Sequence, residues 1–302
     1  MLTFASSLIT TFQAFVLGAL QGVTELFPIS SLGHTVIYPH LFGWTNIVAW
    51  QSEPESPWLA FVVMLHVGSA IGLLIYFWRD WVEIISAFFA TLGKRKIETK
   101  TEKLAWLILA ASIPVGILGI ALEKVIRQAT AKPLVASIFL VVNGCILIGA
   151  EFLRRRSDVR TRARVEGRSG QVDLNREIES LSYKEGVSVG FVQSTALIAG
   201  ISRDGVVMAG GLQRGLDNAG AAKLSFLLAT PIILAAGVFK VGDLLGANGN
   251  GIRGEAVFAA VIAAIFAVIT VHFLTRWFKT RNLIPFGIYC IVFGAAMVIY
   301  NA

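Results

Sequence analysis

Charge is scarce in this chain. Only 15% of its 302 residues are Asp, Glu, Lys or Arg, where a soluble domain carries about 25%. No Lys or Arg occurs before Arg79. The opening stretch MLTFASSLITTFQAF thus lacks the basic n-region expected of a cleavable secretion signal. Cysteine is nearly missing too. Cys145 and Cys290 both lie inside apolar runs, so they read as small core residues and no disulfide framework is implied.

What fills the chain instead is apolar: 55% of residues are hydrophobic, and the mean hydropathy is strongly positive. Six runs reach the ~20 residues that cross about 30 Å of hydrocarbon as a helix. They are Trp58 to Trp78, Leu104 to Leu122, Pro133 to Leu153, Ala222 to Lys240, Ala256 to Arg276 and Leu283 to Tyr300. The expected fold is an all-α polytopic membrane protein. Trp58, Trp78, Trp81, Trp106 and Trp277 stand near run ends, as interfacial aromatics do. Val82 to Leu92 is shorter and reads as an interfacial or half-spanning helix. Two further apolar regions, 11–38 and 186–216, are broken in the middle by Gly, Ser and charged residues. Each reads as a re-entrant helix–loop–helix. Non-helical backbone at that depth must be shielded by protein or water, and membrane proteins build sites there.

The net charge of +7 is concentrated in loops. Arg79–Lys103, Arg154–Lys184 and Arg276–Arg281 hold 6, 9 and 3 basic residues; Leu41–Pro57, Glu123–Lys132 and Val241–Arg253 hold 0, 3 and 1. The positive-inside rule places the first set in the cytoplasm. RRRSDVRTRARVEGR within the longest loop reads as a cytoplasmic, lipid-touching segment; no nucleic-acid partner is expected.

The chain also resembles itself. A shift of 172 lays GALQGVTELFPISSLG (18–33) on GFVQSTALIAGISRDG (190–205). Gly18, Gln21, Ile29, Ser30 and Gly33 match Gly190, Gln193, Ile201, Ser202 and Gly205. Shifts of 165 and 150 extend the match, with Gly72 on Gly237 and Gly144 on Gly294 among the pairs. The reading is an inverted repeat, each half one re-entrant segment and three spans. The first half covers 1–153 and the second 185–302, joined by the basic loop 154–184. An odd number of spans inverts the second copy, so the re-entrant tips would enter from opposite sides and meet near the midplane.

Ionisable groups within a membrane cost at least ~2.5 kcal/mol each unless paired or hydrated, so they are functional candidates. Glu25, His34, Arg203 and Asp204 gather in the two broken segments. Gln21 and Glu25 are four apart, on one helix face. Ser31 and His34 follow Pro28. Ser202–Gly205 is a Gly-flanked turn opening a helix, where N–H groups could receive an anion. The set suits phosphoryl transfer. Ser31 or His34 attacks phosphorus while the other moves the proton, and Arg203 stabilises the equatorial oxygens. Glu25, with Gln21, is placed to hold a divalent cation, Mg2+ or Ca2+. Ser30, Gly33, Ser202 and Gly205 are candidate phosphate-binding positions. Blander roles stand beside these: Glu25 as ion-pair partner of Arg203, Ser30 as a helix cap, His66 and His272 as structural histidines, and AGGLQRG (209–215) as a packing face.

At these residues the sequence resembles the undecaprenyl-diphosphatase, or bacitracin-resistance phosphatase, family. Its (E/Q)xxxE, PVSSTGH and PGxSRSG motifs stand here as Gln21–Glu25, PISSLGH (28–34) and AGISRDG (199–205). The resemblance implies hydrolysis of a C55 isoprenoid diphosphate lipid to the monophosphate, recycling the carrier of cell-wall synthesis in the bacterial plasma membrane. It implies a site open to the outer face, dependence on a divalent cation, and catalysis by Glu25, Ser31, His34 and Arg203, with Gln21 and Ser202 in support. Leu32, Ala199 and Asp204 depart from the motifs. Asp204 could bind metal, weaken phosphate affinity or orient Arg203. The rival reading is a non-hydrolytic polyprenyl-phosphate flippase. Whether the protein forms a homodimer stays open.

Overall fold

The computed structural model describes residues 8–51, 57–130, 132–165, 176–246 and 249–302. Twelve α-helices are described: α1 Thr11–Thr24, α2 Ser31–Leu41, α3 Thr45–Gln51, α4 Pro57–Tyr76, α5 Trp78–Lys94, α6 Lys100–Thr130, α7 Pro133–Val165, α8 Tyr183–Gln193, α9 Arg203–Gln213, α10 Asn218–Leu245, α11 Arg253–Trp277 and α12 Ile284–Asn301. No strand occurs among the described residues. Six helices, α4, α6, α7, α10, α11 and α12, are long and apolar enough to cross a membrane. These are the six runs expected from hydropathy, and the protein is an all-α polytopic membrane protein.

Three boundaries differ from expectation. The helix α6 continues to Thr130, so most of the Glu123–Lys132 loop is helical. The helix α7 continues to Val165 and takes up the first twelve positions of the expected basic loop; 166–175 lie outside the described residues. The Val82–Leu92 segment belongs to a 17-residue helix, α5. It exposes Val82, Ile85, Phe89 and Leu92 while burying Ile84 and Thr91. Its link to the bundle is partly polar: Trp106 Nε1 donates to Thr91 Oγ1 at 2.9 Å. Trp58 is also buried, against Phe61, rather than interfacial.

The two broken regions are hairpins. The first pairs α1 with α2 and the second α8 with α9, each around a short non-helical tip. Both hairpins open with a capping box: Thr10 with Gln13, and Ser182 with Glu185, which satisfies two of the orphan N–H groups at each helix start. The hairpins pack crosswise: α1 lies against α11 of the second half, and α8 against α6 of the first. Glycine permits this closeness. A Cβ at Gly18 would lie 2.5 Å from the Ala259 carbonyl oxygen, and one at Gly190, its repeat mate, 2.1 Å from that of Ala111. The pair α7 and α12 shows the same exchange. Gly144 faces the Gly287 carbonyl, and Gly294 faces that of Ser137; these two contacts are related by the 150-residue shift. Small residues at such crossings let backbones approach where lipid offers no hydrophobic drive for association.

The glycines divide into two classes with opposite expected behaviour. Gly190→Ala should lower the melting temperature in detergent markedly, since a backbone carbonyl must move. Gly149→Ala on α7, where a Cβ would meet nothing within 4 Å, should leave it unchanged or raised, because Ala is the better helix former by up to ~1 kcal/mol. Equal melting of the two variants would contradict the packing described.

Candidate active site

The two tips touch. Gly33 packs on the backbone of Gly200, so a Cβ at Gly33 would lie 3.0 Å from the Gly200 Cα. Gly200 adopts a φ of 103°, a region that favours glycine. Ser30 stitches the tips together: its Oγ accepts from Gly33 N of its own helix and from Gly200 N of the other hairpin, both at 3.2 Å. Ser30 holds a φ of 71°, an uncommon backbone state for a residue with a Cβ, maintained by its surroundings.

A third element joins them. Asn143, on α7 and wholly buried, donates from Nδ2 to Pro28 O of the first tip at 3.0 Å. Its Oδ1 accepts from Ser202 N of the second tip at 2.9 Å. One carboxamide thus satisfies a backbone acceptor and a backbone donor from the two tips. At this depth water is not at hand to do so.

Around this junction the side chains converge on Glu25. Ser31 Oγ donates a short hydrogen bond to Glu25 Oε2. Gln21 Nε2 donates to the same oxygen at 3.0 Å. Arg203 Nη2 donates to Glu25 Oε1 at 2.9 Å. His66 Nε2, on α4, lies 3.3 Å from Glu25 Oε2. The other nitrogen of His66, Nδ1, contacts Val62 O at 2.8 Å. A carbonyl only accepts, so Nδ1 carries a proton, and Nε2 is the nitrogen that faces Glu25. Arg203 Nη1 lies 3.0 Å from Asp204 Oδ1 but has no hydrogen-bond partner. Ser225 Oγ donates to Asp204 Oδ1 at 2.8 Å.

These groups form the floor of a cavity of about 240 Å³ lined by Glu25, Ser30, Ser31, His66, Gln193, Ser202 and Arg203. Its walls are apolar: Leu32, Val62, Val63, Val115, Ala196, Leu197, Ile201, Ile232, Ile233 and Ala236. The helices α2 and α9 both begin here, at Ser31 and Arg203, and a helix N-terminus carries partial positive charge. A polar floor carrying a guanidinium and two helix N-termini beneath apolar walls suits an anionic head on an apolar tail.

Several expected site residues take other places. His34 is fully buried and is absent from the cavity lining. Its Nδ1 donates to Ser30 O at 2.8 Å, and its Nε2 pairs with Tyr289 OH at 2.8 Å. The ring stacks on Tyr289 and Phe293. Both nitrogens are engaged, Nδ1 on the Ser30 carbonyl and Nε2 on Tyr289, so His34 braces Ser30. The N–H groups of Gly33 and Gly205 are taken by their N-cap serines, Ser30 and Ser202, so those two glycines serve packing rather than anion binding. The metal expectation for Glu25, Gln21 and Asp204 also meets a physical obstacle. Both Glu25 oxygens already face donors, and Asp204 Oδ1 faces Arg203 and Ser225. Among the described residues no group of three His, Cys, Asp or Glu is placed to hold an ion. A hard cation takes about six oxygens. The protein groups alone do not supply that many; Mg2+ is typically held by one or two carboxylates together with substrate phosphates and water.

Three residues were missed in sequence. His66 stood in an apolar span, where any ionisable group is a candidate, but was grouped with structural histidines. Gln193 was visible as the mate of Gln21. Asn143 carried no signal beyond being a polar residue in a span.

The fold and the floor together define a membrane-embedded protein with a hydroxyl–carboxylate–guanidinium site for an anionic lipid head. The family model described as bacitracin resistance protein BacA matches residues 14–296, and the chain belongs to that family. An undecaprenyl-diphosphatase 2 of Frankia alni is 46% identical over 95% of this chain and 96% of its own. The undecaprenyl-diphosphatase of Mycolicibacterium paratuberculosis is 46% identical over 96% and 97%. That of Acidiphilium cryptum is 39% identical over 96% and 98%.

Replacing Asn143 should separate the tips. Asn143→Leu leaves a buried N–H and a buried C=O unpaired, each costing about 1–3 kcal/mol. The variant is expected to melt well below the wild type and to be cut by protease near the tips. Wild-type melting would show that the bridge is dispensable.

Proposed function

We propose that this protein is a membrane phosphatase that hydrolyses undecaprenyl diphosphate to undecaprenyl phosphate and inorganic phosphate, regenerating the carrier lipid of cell-wall synthesis. The observation that carries the reading is the Ser31–Glu25–Arg203 chain of contacts across the two tips, in a family whose named relatives are undecaprenyl-diphosphatases.

Ser31 is the nucleophile in this reading. Its hydroxyl donates to Glu25, which takes the proton as Oγ bonds to the terminal phosphorus. The bond from that phosphorus to the bridging oxygen breaks, and the lipid monophosphate leaves. Glu25 passes that proton to the departing bridging oxygen and is again a carboxylate. Water then attacks the phosphoserine and loses a proton to it, and as the P–Oγ bond breaks that proton returns to Ser31 Oγ and phosphate is freed. Arg203 Nη1, buried and without a hydrogen-bond partner, stabilises charge on the phosphoryl oxygens. His66 Nε2 stands against the oxygen that receives the serine proton and can relay it. Gln21 holds Glu25 in place. Asp204 and Ser225 hold Arg203 from behind.

The crosswise glycine contacts related by the 172- and 150-residue shifts support the inverted repeat and its two halves, 1–153 and 185–302. The wall residues support a site open to the extracytoplasmic side of the plasma membrane. Val62 and Val63 lie near the start of α4, Val115 beyond the middle of the apolar span Lys100–Leu122 of α6, and Ile232, Ile233 and Ala236 beyond the middle of the apolar span Asn218–Lys240 of α10. All sit away from the basic segments that the positive-inside rule places in the cytoplasm.

The test is phosphate release from a long-chain isoprenyl diphosphate by purified protein, with Mg2+ or Ca2+ supplied and then chelated. Ser31→Ala and Arg203→Ala are each expected to lose about a thousandfold or more, the scale seen on removing a nucleophile or a transition-state donor. His34→Phe keeps the ring stack and should retain more activity than Ser31→Ala. No release by the wild type, or full activity in Ser31→Ala, overturns the reading.

A further inference from the structure

Gln193 ends α8 at the cavity floor. It is 1% exposed, and neither its Nε2 nor its Oε1 has a hydrogen-bond partner. A primary amide buried with all its capacity idle is costly. Native structures keep such groups for a reason.

The repeat explains how it came to be idle. Its mate, Gln21, donates to Glu25 four residues on. The position matching Glu25 in the second half is Leu197, which lines the same cavity. Gln193 therefore has the setting of Gln21 without a carboxylate to hold. The nearby Arg203 Nη1 is likewise buried without a hydrogen-bond partner. Two N–H donors without a hydrogen bond thus belong to the second hairpin, that of Arg203 standing in an ion pair with Asp204, while the reacting Ser31 and Glu25 belong to the first.

We propose that Gln193 is a phosphate-binding residue which holds the second phosphate of the diphosphate, beside the one seated on Ser31 and Arg203, and so selects a diphosphate over a monophosphate. This rests on the phosphatase reading for the identity of the lipid, but the subsite itself needs only an anion with two linked phosphates. A monophosphate seated at Ser31 engages Arg203 alone. The linked phosphate adds an oxygen for the Gln193 Nε2–H. Inorganic phosphate, lacking it, leaves more readily.

The experiment uses the full chain in detergent and reads binding without turnover. Thermal-shift titrations compare inorganic pyrophosphate with inorganic phosphate on wild type, Gln193→Met and Gln193→Glu, beside steady-state kinetics on the isoprenyl diphosphate. Wild type should bind pyrophosphate about tenfold or more tightly than phosphate, the scale of one hydrogen bond to a charged acceptor. In Gln193→Met that ratio should fall towards one and KM for the diphosphate should rise by a similar factor. In Gln193→Glu both effects should be larger. Without ligand, Gln193→Met should melt at or above the wild-type temperature, because a desolvated amide has been removed.

A structural glutamine would behave otherwise, with melting lowered. That result, or a pyrophosphate preference untouched by either variant, overturns the proposal. A wild type that prefers pyrophosphate through Gln193 yet cleaves no isoprenyl diphosphate would sink the phosphatase reading alone. An active enzyme whose preference ignores position 193 would sink the subsite alone.

Discussion

The site exists because two backbone tips, each with backbone groups left over after its own turns, are held by one buried carboxamide. Asn143 supplies the acceptor that Ser202 N needs and the donor that Pro28 O needs. Ser30 adds a second tie through Gly200. Unpaired backbone groups at hydrocarbon depth cost several kcal/mol each, so the tips are far more stable together than apart. Their register then follows. Once Gly33 rests on Gly200, Ser31 and Arg203 begin their helices on opposite sides of one small cavity, and Glu25 lies between them.

The charges in that cavity are balanced so as to leave a donor free. Arg203 faces Glu25 with Nη2 and Asp204 with Nη1, yet Nη1 completes no hydrogen bond. Asp204 is drawn towards Ser225 as well. Of the roles the sequence left open for Asp204, orientation of the arginine is the one its contacts favour. Breaking such a buried pair by removing one partner is costly, which fixes the guanidinium before any substrate arrives. Preorganised charge under apolar walls acts more strongly than the same charge in water.

Much of this was legible in the residues. Hydropathy located all six spanning helices, because a 20-residue apolar run has few alternatives. Broken apolar regions with Gly, Ser and charge located both hairpins, and the repeat placed their tips together. Ends of helices were less legible: α7 runs through Arg154–Arg156 into the basic segment, since Arg is a good helix former and hydropathy measures burial, not helicity. Side-chain direction was not legible at all. His34 follows Ser31 by three residues, yet its imidazole is buried among Tyr289 and Phe293, sequence-distant residues on α12. Its place near Glu25 is taken by His66 from another helix.

The contacts between the tips also bear on how the chain is made. Glu25 and Arg203 are 178 positions apart, and Asn143 is 115 from Pro28. At about 5–20 residues per second, the ribosome needs on the order of 10–35 seconds to go from the carboxylate to its guanidinium. Through that interval the first hairpin lacks the partners that its tip finds in the second, Gly200 and Arg203. It must wait at the bilayer surface, or beside the insertion machinery, until the second hairpin emerges. Insertion of the first hairpin is thus coupled to completion of the last, and a chain truncated before residue 200 would leave it stranded.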